Sequence, residues 1–234
     1  MKIDYVLVGS NNDPMYLDFW PIISKVWKNK FNVIPVLGLI TDKEEIIHDE
    51  FGIIIKLRRI EGYSDGLLSQ LVRLYLPKHL NGNCIISDID MIPISEKYFI
   101  DGLKEYDDDD FIIMSSHHPQ TVNINQYPMC YVVGSDLNFK KLFNLNDDWE
   151  TFVKKIPNQG WFTDQCHLFN MINKNQNIKY KFPLRDSDFV SDRIDRTNWF
   201  YDVNLLKNGY YVDSHMLRPY TKYKDEINKL INLL

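Results

Sequence analysis

"CIISDIDMIPIS", residues 84–95, decides how this chain is read. An apolar run reaches Ser87, Asp88 and Asp90 flank Ile89, and apolar residues resume at Met91. The pattern predicts a fully buried strand that delivers two carboxylates at its end. In a strand, residues i and i+2 point to the same side. Asp88 and Asp90 would then repel each other and lose hydration together. A divalent cation relieves both problems, because Mg²⁺ and Mn²⁺ favour carboxylate oxygens. The plain alternative is a strand-end turn with two solvated aspartates.

Upstream, strands and helices alternate. "IDYVLVGS" (3–10), "FNVIPVLGLI" (31–40) and "IIIKLRRI" (53–60) read as strands, and 83–92 as the fourth. "DPMYLDFWPIISKVWKN" (13–29) predicts a helix broken near Pro21. "TDKEEIIHDEFG" (41–52) predicts a short helix capped by Thr41 or Asp42 and stopped at Gly52. "SDGLLSQLVRLYLPKHL" (64–80) predicts a helix that reaches Pro77. This rhythm implies an α/β fold whose mostly parallel central sheet is flanked by helices. Ligands in such sheets gather at the carboxyl ends of strands, where Gly9-Ser10 and the aspartate pair both lie.

Downstream the pattern is less regular. Strands are expected at 110–118, 129–135 and 210–217, and helices at 149–156, 163–175 and from about Lys222. "RDSDFVSDRIDRTNW" (185–199) alternates acids and arginines and reads as an ordered or ligand-gated loop, with Arg193 and Arg196 able to close over a ligand. Asp107–Asp110 read as a solvated acidic turn, and His117-His118 as part of a loop with one histidine near the ligand. No repeat and no Gly-, Pro- or Ser-rich linker divides the chain, so 1–234 is expected to be a single domain.

Composition narrows the function. The 234 residues are 44% hydrophobic and carry a formal charge of −5, which argues against a nonspecific grip on nucleic acid. Cys84, Cys130 and Cys166 are widely spaced, so a structural zinc site is not expected and reduced thiols in a cytoplasmic setting are. No apolar run approaches the ~18 residues of a membrane span, and the first strand is too short for a signal peptide.

The predicted helix 64–80 is apolar on most of its circumference, with Gln70 and Arg73 as a narrow polar stripe. A guanidinium there needs an anion, either an internal carboxylate such as Asp88 or a bound ligand. Asp164 opens another predicted helix, where an acid complements the helix dipole in any case. Trp161 and Phe162 just before it either pack in the core or stack on the face of a bound ligand.

Taken in order, "SQLVRLYLPKHLNGNCIISDIDMIPIS", "GWFTDQCHLFN" and "DSHMLRPY" resemble the motifs of the GT-A, DXD-containing glycosyltransferases, in particular the glycogenin-like ones. The compact chain is also similar to the small transferases of large DNA viruses, among them a rhamnosyltransferase domain of chlorella viruses. The resemblance implies a GT-A fold, with 1–95 as the nucleotide-binding half and 96–234 as the acceptor and metal-completing half. It implies transfer of a hexosyl or deoxyhexosyl group from a UDP-sugar to a glycan or small hydroxyl acceptor, and it tilts towards retention. Asp88, Asp90 and His215 would hold Mn²⁺ or Mg²⁺. Val8, Gly9, Ser10, Arg73, Asp88, Ile89 and Arg218 would contact the nucleotide sugar. Asp164 and Gln165 would face its anomeric carbon. Here only Met216-Leu217 separate His215 from Arg218, a shorter gap than the family's, which ends in Lys.

Three other readings remain open at this level. A haloacid-dehalogenase-like phosphohydrolase would use Asp88 as nucleophile, but that class carries its DxD on the first strand. A sugar nucleotidyltransferase would need a Gly-rich basic loop after the first strand, where "VGSNNDP" stands. An inactive sugar-binding module would bind without turnover.

Overall fold

The computed structural model describes residues 1–42, 45–114, 125–183 and 192–234. Among these, eight strands form the main sheet in the order β3-β4-β2-β1-β5-β8-β7-β9. They are β1 (Tyr5–Asn11), β2 (Ile34–Ile40), β3 (Glu45–His48), β4 (Ile53–Leu57), β5 (Asn83–Ile86), β7 (Asp110–Ile113), β8 (Val132–Ser135) and β9 (Lys179–Lys181). The β1 strand pairs in parallel with β2 on one side and β5 on the other, and β2 pairs in parallel with β4. Only β3 and β8 run against the rest. Strands from beyond residue 95 complete this sheet, so its core spans both halves of the chain.

Val6, Leu7 and Val8 at the centre of β1 are all fully buried, as expected for a strand covered on both faces. Leu7 packs on one face with Leu68, Val72, Phe139 and Leu168. Val6 and Val8 pack on the other with Trp27, Leu37, Phe99 and Tyr131. The first face is closed by α3 (Asp65–Tyr75), α5 (Asp136–Phe143), α6 (Trp149–Lys154) and α7 (Thr163–Lys174). The second is covered by α2 (Trp20–Phe31), α4 (Glu96–Phe99) and α9 (Lys224–Ile231). Each fully buried Leu or Val contributes about 1.5–3 kcal/mol relative to exposure, so α3, which buries Leu68, Leu71 and Val72, is firmly anchored.

Local chemistry explains the boundaries. Ser64 caps α3 by accepting from the Leu67 N–H at 3.2 Å, and Pro77 turns its end into a 3₁₀ turn over Leu76–His79. The expected break near Pro21 falls at Asp18-Phe19, between α1 (Pro14–Leu17) and α2. Gly9 lets β1 meet α3 closely, since a Cβ there would lie 2.0 Å from the Ser69 carbonyl oxygen.

The structure corrects the reading of 41–52. The described part of this stretch is not a helix: Glu45–His48 pairs antiparallel with β4 from Glu45↔Lys56 to His48↔Ile53. A helix this short gains little alone, whereas the sheet edge offers a ladder. Asp49 then closes the hairpin, its Oδ1 accepting from the Phe51 and Gly52 N–H groups.

A second, three-stranded sheet stands beside the first, in the order β10 (Arg193–Asp195), β11 (Asp213–His215) and β6 (Met91–Pro93). The predicted fourth strand therefore divides: β5 stays in the main sheet and β6 joins the small one. The described part of 185–199 includes strand β10 rather than only loop, because it pairs in parallel with β11. The remaining helix, α8 (Val203–Lys207), links the two. Asp110, expected in a solvated turn, is buried, its Oδ2 accepting from the Asp107 N–H at 2.9 Å. His117-His118 lie outside the described residues.

Candidate active site

The aspartate pair sits in the turn where the chain leaves β5 for β6, not within a strand. The two carboxylates consequently have different partners. Asp88 is held by the Arg73 guanidinium through one oxygen and stays 41% exposed. Asp90 is buried and meets His215 of β11, its Nε2 at 3.5 Å, together with Arg196 at 2.8 Å and Arg218 at 3.5 Å from the segments after β10 and β11.

Helix α3 supplies Arg73 because its register turns that residue inward, under the end of β1. The buried guanidinium donates to Asp88, to the Ser87 carbonyl at 3.3 Å and to Asp164 Oδ2 at 2.7 Å. Burial opposes its charge, but Asp88 and Asp164 outweigh that and hold the proton more firmly than usual. Asp164, in the first turn of α7, is 1% exposed. Its Oδ1 accepts from the Gln165 N–H at 2.8 Å. Burial raises its carboxyl above the ordinary range, with Arg73 working in the opposite direction. Arg73 is thus a clamp between two acids, the internal-carboxylate alternative for this residue, and Asp164 has both oxygens engaged.

His215 reaches the site because β11 pairs antiparallel with β6, setting His215 opposite Met91, the residue after Asp90. Its Nδ1 lies 3.2 Å from Asp195 Oδ2, which leaves Nε2 directed at Asp90. Burial acts against ionised Asp90, but the His215 ring, Arg196 and Arg218 together hold its carboxyl below the ordinary value. Asp195 is likewise lowered: Thr197 and His215 outweigh burial.

The donor set is chemically suited to a divalent cation: two carboxylates and an imidazole whose other nitrogen is oriented by a carboxylate. Among the described residues, however, no three His, Cys, Asp or Glu side chains already converge as a cation cage. Arg73 and Arg196 each hold one of the two carboxylates instead, so a bound cation would share the carboxylates with them.

These residues line one cavity of about 480 Å³, with Gly9, Ser10, Ile89, Gln165 and Arg218 also in its wall. Val8 does not line it and lies in the core beneath. The sequence reading left several lining residues without a role: Asn11, Asp13, Tyr16 and Cys130. The Arg218 guanidinium stacks 5.0 Å from the Tyr16 ring. Arg193 makes a two-pronged pair with buried Asp213, which also accepts from the Tyr131 hydroxyl at 3.0 Å. The Cys130 Sγ accepts from the Asp88 N–H, and burial raises its thiol well above the ordinary range. Tyr16 had one signal, a position just after the first strand. Asp195 had another, the i, i+2 spacing from Arg193 that puts both on one side of a strand.

No family model matches the chain, and no curated protein matches it. Among solved structures it is similar to a glycosyltransferase involved in the glycosylation of the major capsid of PBCV-1, a chlorella virus. The two agree with a TM-score of 0.51 over 97% of this chain and 99% of that one, at 9% sequence identity. The chain thus has a fold that a viral glycosyltransferase also uses, the mixed α/β architecture expected from the sequence.

Proposed function

We propose that this protein is a metal-dependent glycosyltransferase that moves a hexosyl or deoxyhexosyl group from a UDP-sugar to a hydroxyl of a glycan or small acceptor. One observation carries the reading: His215, distant in sequence, lines the same cavity as the Asp88–Asp90 pair, at the carboxyl ends of β1 and β5. That is where ligands bind in open α/β sheets. The likeness in fold to a glycosyltransferase agrees with it.

In this mechanism Asp88, Asp90 and His215 hold Mn²⁺ or Mg²⁺. The cation supplies Lewis-acid neutralisation of the leaving diphosphate. Gly9, Ser10 and Ile89 approach the nucleotide through their backbone, and Arg218 and Arg196 add positive charge beside Asp90. Arg73 fixes the orientation of Asp88. Asp164, closed off by two hydrogen bonds, acts through Arg73 as a positioning residue. Gln165 is the neighbour free to hold a hydroxyl of the donor sugar. With Asp164 so engaged, the arrangement fits retention better than an inverting reaction that uses Asp164 as base.

A thermal-shift screen of nucleotide sugars with and without Mn²⁺ tests this. A donor at a hundredfold excess over its dissociation constant adds ~2.7 kcal/mol, or roughly 5–10 °C for a chain of this size. Failure of every nucleotide sugar to shift the transition overturns the reading. A phosphoryl group trapped on Asp88 would replace it with phosphohydrolase chemistry.

A further inference from the structure

We propose that Trp161 is the platform of an acceptor subsite that takes a pyranose ring, so that the acceptor is a carbohydrate. The inference rests on the transferase reading above and narrows it. Trp20, Trp27 and Trp149 are buried, but Trp161 is 66% exposed on the wall of the cavity that holds Asp88 and Asp164. Phe162 beside it is exposed as well. Other exposed large apolar residues, such as Leu137 and Phe200, do not line that cavity. No ring contact to the indole exists among the described residues.

The main chain under the indole is held tightly. Gly160 takes a left-handed φ of +72°, and its N–H donates to Asn158 Oδ1 at 2.9 Å. Buried Thr163 locks the turn: its Oγ1 donates to the Gly160 carbonyl at 2.8 Å and accepts from the Gln159 N–H at 2.7 Å. From α3, Gln70 Nε2 donates to the Trp161 carbonyl at 3.1 Å. A rigid backbone presenting a bare indole leaves apolar surface in water that a ligand would cover.

The surroundings select the ligand. Ser69, Gln70 and Gln165 share the cavity wall with Trp161. Because Gln70 spends its Nε2 on the backbone, its Oε1 is left to accept from a hydroxyl. A pyranose matches this combination. Its axial C–H groups, polarised by neighbouring C–O bonds, meet the negative face of the indole, while an equatorial hydroxyl meets the Gln70 amide oxygen. A flat nucleobase would also stack, but the contacts run the other way. They pass from Tyr16 through Arg218 to Asp90, and from Asp88 through Arg73 to Gln70 and Trp161. Trp161 is thus linked to the aspartate pair through Asp88, Arg73 and Gln70, whereas Tyr16 and Arg218 are linked to it through Asp90.

The test uses the full chain, Trp161→Ala and Trp161→Phe. The probes are methyl glycosides of glucose, galactose, mannose and xylose, read by saturation-transfer NMR with UDP and Mn²⁺ present, and UDP alone, read by calorimetry. At least one methyl glycoside should bind, with saturation strongest on the protons of one ring face. Trp161→Ala should weaken it about tenfold or more, and Trp161→Phe far less, while UDP affinity stays within about twofold. If Trp161→Ala instead weakens UDP and spares the glycoside, the indole serves the donor base and the proposal fails. It also fails if no glycoside binds an enzyme that hydrolyses a UDP-sugar, although transferase chemistry then stands. Glycoside binding that depends on Trp161, in a protein that takes no nucleotide sugar, upholds the subsite and removes the transferase reading.

Discussion

Replacing Arg73 with Met should destabilise the protein strongly, and the reason is Asp164. Asp88 loses one partner in Arg73→Met, but it is 41% exposed and regains water. Asp164 is 1% exposed and keeps only the Gln165 N–H, so its carboxylate is left buried without a counter-charge. Breaking a buried pair from one side costs about 3–5 kcal/mol, roughly 6–20 °C in Tm for a chain of this length. Read from the sequence alone, with Arg73 as a lone cation for the donor, the same variant loses affinity rather than stability. The second carboxylate on the guanidinium reverses that order. Urea denaturation of wild type, Arg73→Met, Asp164→Asn and the double variant gives the coupling directly. The double variant should recover much of the loss, because removing both charges leaves neither stranded. Additive losses, or a drop below about 1 kcal/mol for Arg73→Met, would refute the argument; the latter is what an exposed pair contributes.

Four further outcomes are expected. Calorimetry of UDP should show binding with Mn²⁺ and little with EDTA, and undiminished affinity in EDTA would sink the cation bridge. Asp195→Asn should weaken Mn²⁺ about 10–100-fold by freeing the His215 ring, measured by electron paramagnetic resonance with the fold checked by circular dichroism. Gly9→Ala should lose about 1–3 kcal/mol, since its methyl would press on Ser69 and Val72 of α3; an unchanged urea midpoint would contradict that packing. Asp90 is held below its ordinary value, so its contribution is complete above the unfolded-state value of about 3.9 and is lost as pH falls through the lower folded-state value. The stability gap between wild type and Asp90→Asn should therefore narrow below about pH 4, and a gap independent of pH would count against the pairing.

The legible parts of the structure are those whose signals are local. Val6 to Val8 in β1 and the apolar circumference of α3 carry the core in an unbroken run of sequence, so both elements were readable. The aspartate pair was readable as a site but not as a shape. Buried Ile89 between Asp88 and Asp90 imitates a continuing strand, although the chain turns there to change sheets. Residues 45–48 are ambiguous because one acid, two isoleucines and a histidine fit a helical face as well as an edge strand, and only pairing with β4 decides. The clamp on Arg73 was half visible. Asp88 is 15 residues away and was considered as a partner, whereas Asp164 is 91 away and nothing local links them. Asp195 was hidden in a segment whose alternating charges read as a loop, because the strand that orders it, β11, comes later in the chain.

The two aspartates also receive their partners at different moments during synthesis. Arg73 precedes Asp88 by 15 residues, while Arg196 follows Asp90 by 106. A ribosome adding about 5–20 residues per second needs roughly 5–20 s to cover that distance. In the interval β1, β2, β4 and β5 can already pair around α3, with Asp88 neutralised from within. Asp90 meanwhile waits as an uncompensated acid at the end of a partly assembled sheet. A chain stalled in that window would show a protected amino-terminal core to a pulse of protease, and a cleavable turn at the future reaction centre.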